Sequence, residues 1–497
     1  MRRTLAGFPM AGLLLSGALA ASFMPASAQA TPAAAHAATT HTAAHATAVS
    51  TAAKATSGKH QGSADAPYLG WSSWSLQAAR DTTLNPDGDY SWLTEDNVLK
   101  QVDVMASKLK KHGYTYINVD AGWWREWDWT PEYDSHGRYA VDKDRFPHGI
   151  AWLARYVHRK GLKLGLYVPA GMEKGAYDNG DFPIAGSRTG CTTHDAVYDD
   201  LRTTNGWDSS YALDFDKPCA QQWVDSIADE MAGWGVDFLK IDGVGYGSGR
   251  SADSETVAGQ YDNRAELAGW NKAFKKTGRD VKIQLSWALD HDYVSDWQKL
   301  ADSWRIDWDV ECYCSTLTRW NSVKGRFTDV LDWIDDAGHG KGWNNLDSLD
   351  VGNGDMDGLS DDERQTTTTL WAIEAAPLYS GDDLTQLDAE GLKLLTNDEV
   401  LAVDQAGVPA APVDTSTDQQ VWTAKVGDHY VVALFNLSDD AATVSTDFSD
   451  DLGVKGSARI RDLWQHQNLG RATSYSATVP AHGSVLLTVT PSRGAGR

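Results

Sequence analysis

From Pro67 onward the chain repeats a short β-branched or apolar run eight times, and this repeat constrains the fold most. The runs are Leu69–Trp74, Tyr114–Trp123, Leu162–Val168, Phe238–Gly243, Lys282–Leu289, Ser303–Val310, Gly342–Leu349 and Ala376–Leu384. Helix-like segments stand between them. Between the first two runs, Val98, Val102, Met105 and Leu109 form a one-sided apolar stripe, with Thr94 placed as its N-cap. Gly113, Gly161 and Gly235 each stand shortly before a run, where a helix would be capped. Strands alternating with helices predict a parallel sheet, and eight such units predict a (β/α)8 TIM barrel over residues 67–405. After about Pro412 the pattern turns β-rich, with runs such as His429–Asn436 and Ser484–Val489 and no helix. Residues 406–497 are therefore expected to form a C-terminal antiparallel β-sandwich.

The residues before the barrel read differently. Arg2 and Arg3 precede an apolar stretch, and Ala28-Gln29-Ala30 has the form of a cleavage site, so residues 1–30 read as a signal peptide. Residues 31–66 are Ala, Thr, Ser and His with almost no large apolar side chain, which predicts a disordered linker. No later segment has about 18 uninterrupted apolar residues, so the expectation is a secreted protein with no membrane span after signal cleavage. Four cysteines suit an oxidising compartment. Loop length and barrel geometry favour a Cys191–Cys219 disulfide, whereas Cys312-x-Cys314 is sterically awkward as one. Neither pair has the spacing of a zinc site, and no metal is expected.

Lys plus Arg number 44 against 68 Asp plus Glu, a net charge of −24, which argues against nucleic acid as a partner. Yet the chain holds 22 tryptophans, all but Trp422 and Trp464 within the barrel region. Aromatic excess without basic excess points to neutral, flat-faced ligands, sugars above all. In a barrel of this kind the chemistry sits at the C-terminal ends of the strands. There the runs place Trp71 and Trp74; Asp120, Trp123 and Trp124; Tyr167; Lys240 and Asp242; Trp287; Trp304, Arg305, Asp307, Trp308 and Asp309; and Trp343 and Asp347. Two carboxyls, one protonated and one ionised, are what hydrolysis of a glycosidic bond requires. Asp242 is the expected nucleophile, with the Lys240 ammonium two residues away on the same strand face lowering its pKa. Asp309 is the expected acid/base, raised by desolvation against Trp304 and Trp308, although alternation puts Asp307 on the same face as a competitor.

These segments resemble glycoside hydrolase family 27, the α-galactosidases and α-N-acetylgalactosaminidases. The resemblance covers nearly all of 67–490. It is carried by Gly70-Trp71-x-x-Trp74, Tyr116 to Asp120, Gly161 to Tyr167, Gly235 to Asp242, Trp304-Arg305-x4-Asp309, Gly342-Trp343-Asn344-x-Leu346-Asp347 and Leu370 to Leu378. It implies a retaining double displacement on an α-linked oligo- or polysaccharide, with Asp242 as nucleophile and Asp309, rather than Asp307, as acid/base. It implies sugar contacts at Trp71, Asp120, Tyr167, Lys240, Arg305 and Asp347, and no cofactor. Trp287 joins the substrate-binding set as an indole at the end of the fifth run.

Two departures bear on the sugar. The family's galactosidases carry a second acid after the strand-2 Asp, where this chain has Ala121. Their strand-5 Cys-Glu-Trp is replaced by Ser286-Trp287-Ala288-Leu289. Loss of a built polar contact changes discrimination strongly. An α-galactosidase remains the first expectation, and an isomaltodextranase-like hydrolase of α-1,6-glucan the second; the family also resembles β-L-arabinopyranosidases. A non-catalytic carbohydrate-binding barrel is the reading from another class. Glu126, Asp128 or Asp290 are candidates to replace the missing acids. Finally, Asn353 to Gly358 looks like the start of a calcium loop, but its twelfth position is Arg364, so a rim loop after strand 7 is expected instead.

Overall fold

The computed structural model describes residues 66–245 and 261–492; the expected signal peptide and nearly all of the expected linker lie outside them. Eight parallel strands form one sheet: β1 (Leu69–Ser72), β2 (Tyr116–Val119), β3 (Lys163–Pro169), β4 (Phe238–Asp242), β5 (Lys282–Leu285), β6 (Ser303–Arg305), β7 (Trp343–Asn345) and β8 (Leu378–Ser380). Their order is β8-β1-β2-β3-β4-β5-β6-β7. A single parallel bridge, Leu349↔Ser380, joins the segment after β7 to β8 and closes the ring. Seven of the eight strands fall inside the runs marked by the sequence and end short of them; β3 runs one residue past its own, to Pro169. The remaining residues of those runs leave the ladder and make the rim.

A helix follows each strand: α1 (Glu95–Val104), α2 (Ile150–Arg159), α3 (Pro218–Trp234), α4 (Arg264–Thr277), α5 (Val294–Leu300), α6 (Trp320–Asp329), α7 (Asp361–Ile373) and α8 (Asp398–Gln405). Thr94 caps α1, accepting a bond from the Asn97 N–H. Gly235 caps α3 at φ +97°, where a side chain would clash with its own backbone. At the N-terminal end of the barrel Tyr68, Tyr116, Phe238 and Tyr379 pack edge to face and stacked, filling the interior below the site. Among the described residues no helix is long and apolar enough to cross a membrane.

The C-terminal part holds β9 (Ala411–Asp414), β10 (Gln419–Val426), β11 (His429–Asn436), β12 (Ala442–Asp447), β13 (Ala458–Asp462), β14 (Gln467–Ala472), β15 (Ser474–Val479) and β16 (Ser484–Pro491). The larger sheet runs β9-β10-β11-β16-β13-β14, and β12 pairs with β15 alone. In the central strands β10, β11 and β16 side chains alternate between two dry faces. Val421, Val432 and Leu434 pack with Val444, Phe448 and Val479 inside the sandwich. Trp422, Ala433, Phe435 and Leu486 instead belong to the barrel's own core. Phe327 of α6 meets Phe435 at 4.8 Å and Trp422 at 6.0 Å between ring centroids.

Both cysteine pairs are bonded. Cys191 joins Cys219 at the start of α3, with Cα atoms 5.5 Å apart. Cys312 joins Cys314 as well, correcting the expectation that this spacing resists a disulfide. Tyr313 between them sits at φ +49°, and this left-handed residue folds the chain back until the two Cα atoms are 5.2 Å apart.

The resemblance to a calcium loop also resolves. Glu363 closes a capping box with Ser360 at the start of α7. Arg364 is buried, with Nε 3.0 Å from Asp357 of the loop and Nη2 2.7 Å from Asp388, so an internal guanidinium sits where the loop's buried acid turns inward.

Candidate active site

The C-terminal rim surrounds a cavity of ≈ 300 Å³. Asp120, Tyr167, Lys240, Asp242, Trp287 and Asp309, all expected from the sequence, line it. Asp242 is the last residue of β4 and lies beside Pro169 of β3 in register. Its Oδ2 accepts a bond from the Tyr167 hydroxyl at 2.9 Å. Its Oδ1 is buried and has no hydrogen-bond partner among the described residues. Burial raises the Asp242 pKa; Lys240 opposes the rise and Asp309 adds to it. The expected depression by Lys240 is thus outweighed by desolvation. The lysine is also engaged elsewhere: its Nζ lies 2.9 Å from Asp120 Oδ2. Burial works against the Lys240 charge, yet Asp120, with Asp242 next, holds its pKa above the ordinary value.

Asp309 stands beyond the end of β6, because that strand stops at Arg305. Strand alternation therefore does not apply to Asp307 and Asp309. Asp307 turns outward to Arg326, 2.6 Å away on α6, whereas Asp309 faces the cavity. Asp309 Oδ1 accepts from Arg305 at 3.1 Å and Oδ2 from the Tyr313 hydroxyl. Arg305 in turn pairs with Asp347 Oδ2 at 2.9 Å. Burial would raise the Asp347 pKa, but Arg305 and then Lys240 hold it below the usual range. Tyr379 of β8 donates to Asp347 Oδ1 at 2.9 Å, and the Val310 N–H to Oδ2 at 2.8 Å. Glu311 completes this group of acids. Burial, with Asp347 and Asp309 close by, pushes its pKa up to about 8.

Arg305 and Asp347 are buried behind the wall and do not line the cavity. Trp71 does not reach it either: the indole is wholly buried and donates to the Asp382 carbonyl at 2.8 Å. Trp123, Trp304 and Trp343 are likewise core residues. The indoles that do line the cavity are Trp74, Trp124, Trp129, Trp207 and Trp287. Trp287 packs against Trp207 and Trp308, each at 4.9 Å. On the cavity wall Tyr90 stacks on Trp74 and meets Trp129 at a tilt, 4.6 Å between centroids. Four lining residues, Tyr90, Trp129, Trp287 and Tyr313, have positive φ without being glycine. Such backbone is costly and gathers where a loop must aim a side chain.

Ala121 lines the cavity where the family would place a second acid. None of the three candidate replacements does. Asp128 and Asp290 cap local turns, accepting from the N–H groups of Thr130 and Asp292. The further carboxylate on the wall is Glu173, which the sequence reading missed. It accepts from Trp124 Nε1 at 2.8 Å and Tyr133 at 2.9 Å and pairs with Arg125. It lies just beyond β3, outside the apolar run that announces that strand.

Comparison with known proteins agrees with this architecture. The family model described as alpha galactosidase A matches residues 66–189 and 196–406, and that described as alpha galactosidase C-terminal beta sandwich domain matches 416–489. Human alpha-galactosidase A is 30% identical over 400 residues, 76% of each chain. The alpha-galactosidase of Oryza sativa subsp. japonica is 28% identical over 86% of each chain. The crystal structure of a GH27 β-L-arabinopyranosidase from Geobacillus stearothermophilus superposes with a TM-score of 0.76 at 28% identity, covering 89% of this chain and 100% of that one. With barrel and sandwich both matched, the chain belongs to the α-galactosidase family of glycoside hydrolases, family 27.

Proposed function

We propose that the protein is a secreted retaining α-glycosidase that releases terminal α-galactosyl groups, with the barrel of 67–405 carrying the chemistry and 406–497 as its sandwich. One observation carries this reading: Asp242 and Asp309, from different strands, face the same aromatic-lined cavity at the C-terminal rim. In the first step Asp309 gives its proton to the glycosidic oxygen while Asp242 attacks the anomeric carbon. The glycosidic C–O bond breaks and a glycosyl–Asp242 ester forms. In the second step Asp309 takes a proton from water, which attacks the same carbon and frees Asp242. Oδ1 is the attacking atom, since Tyr167 already bonds Oδ2. Asp120 and Lys240 meet the sugar hydroxyls, and Trp124 and Trp287 its faces. Arg305 and Asp347 act behind the wall, holding Asp309.

A second reading, hydrolysis of α-1,6-glucan, is favoured by Ala121 and Trp287, which present no carboxylate where the family's galactosidases have one. Nitrophenyl α-galactoside, dextran and nitrophenyl β-L-arabinopyranoside, assayed side by side, separate the readings. Cleavage of the galactoside is expected; cleavage of dextran alone selects the second reading, and cleavage of none selects a binding protein. Asp242→Ala should lower kcat by about 10³-fold or more with binding kept. Near-normal turnover by that variant would remove Asp242 from the mechanism.

A further inference from the structure

Tyr313 reaches the cavity from a covalent ring of its own. Its two neighbours, Cys312 and Cys314, are disulfide-bonded, so the phenol projects from a closed three-residue loop. Its φ of +49° is rare for a residue with a side chain. Both ends of the loop are anchored. The Cys312 N–H donates to the Leu317 carbonyl at 3.2 Å, and the Arg80 N–H to the Cys314 carbonyl at 2.6 Å. Trp74 Nε1 donates to the Tyr313 hydroxyl oxygen at 3.2 Å. The one proton of that hydroxyl is donated to Asp309 Oδ2. An indole N–H can only donate, so Trp74 fixes the direction of the chain: indole to phenol to carboxylate. Burial, then Asp309 and Glu311, hold the phenol pKa well above its ordinary value, so it remains a donor.

We propose that Tyr313 is a positioning residue for proton transfer at Asp309, and that the Cys312–Cys314 ring is the brace that aims it. This rests on the reading of Asp309 as acid/base. Arg305 and Tyr313 each bond one oxygen of Asp309, which stops the carboxyl rotating and leaves a lone pair free for the travelling proton. Tyr313 keeps its own proton throughout. A bond donated to a carboxylate favours the ionised form, so loss of the phenol should raise the pH at which Asp309 gives up its proton. The other groups that face Asp309 are Arg305, Lys240, Asp242, Glu311, Asp347 and Tyr90. Tyr313→Phe leaves all of these in place.

The test compares wild type with Tyr313→Phe and with the Cys312→Ser/Cys314→Ser double variant on nitrophenyl α-galactoside and dextran. For Tyr313→Phe, kcat should fall about tenfold with KM within about twofold, and the alkaline limb of kcat/KM should move up about one pH unit. The double variant should move the limb the same way by less. In parallel, the Asp309 carboxyl carbon is titrated by 13C NMR, assigned with Asp309→Asn, and should titrate about one unit higher in Tyr313→Phe. A loss of kcat with the alkaline limb and the carboxyl titration unmoved would overturn the positioning role. A double variant identical to wild type would overturn the brace. If wild type cleaves neither substrate while the carboxyl titration moves, the assigned activity fails and the Tyr313–Asp309 link stands.

Discussion

Lys240 serves two carboxylates at once. It bonds Asp120 directly and lowers the Asp242 pKa through space, against the burial that raises it. A nucleophile must be ionised, so activity should appear as pH rises through the Asp242 pKa. Removing the ammonium raises that pKa further. Lys240→Met should therefore move the acid limb of kcat/KM to higher pH, by about one unit, measured as a pH profile. An unmoved limb would mean that Asp120 neutralises the lysine entirely. Residues such as Asp120, Tyr167, Lys240 and Asp242 were legible in the sequence because they lie at or within two residues of a strand's C-terminal end, and those ends make the rim. Trp71, Trp304 and Trp343 were misjudged for a related reason: in a barrel strand both faces are buried, so an indole in a strand packs as core wherever it points. Tyr90, Trp129, Trp207 and Glu173 come from long loops, whose paths no periodicity reveals.

At the scale of elements, the runs announced the strands but overshot most of their ends, since hydrophobicity continues into the rim. Caps were more local and read well, as Thr94 and Gly235 show. The Cys312–Cys314 bond was not legible, because it depends on the left-handed backbone of Tyr313. The loop from Asn353 to Gly358 is tied to α7 by the Arg364–Asp357 pair. Arg364→Leu should cost about 3–5 kcal/mol by leaving buried Asp357 without its partner, measured by denaturant unfolding. Calcium or a chelator should leave the wild-type midpoint where it is; a rise with calcium would restore the cation reading.

At the scale of the molecule, the sandwich was legible as strands but not as part of the barrel's core. The signal was present in Val431 to Phe435, an unbroken apolar run rather than an alternating one, as a strand buried on both faces requires. Phe327→Ala, at the junction, should destabilise by about 3–5 kcal/mol and lower one shared transition in calorimetry. Two separate transitions would show that barrel and sandwich unfold independently. The closing of the ring has its own consequence. β8 is the last strand of the barrel to be made, and its Tyr379 hydroxyl bonds Asp347, which pairs with Arg305, which holds Asp309. Until β8 has joined the ring at Leu349, Asp347 lacks the Tyr379 hydroxyl, and the pair that holds Asp309 from behind stands open on that side. A chain still emerging from the ribosome can thus carry every acid of the cavity and yet have no site: the fold withholds its chemistry until synthesis of the barrel is finished.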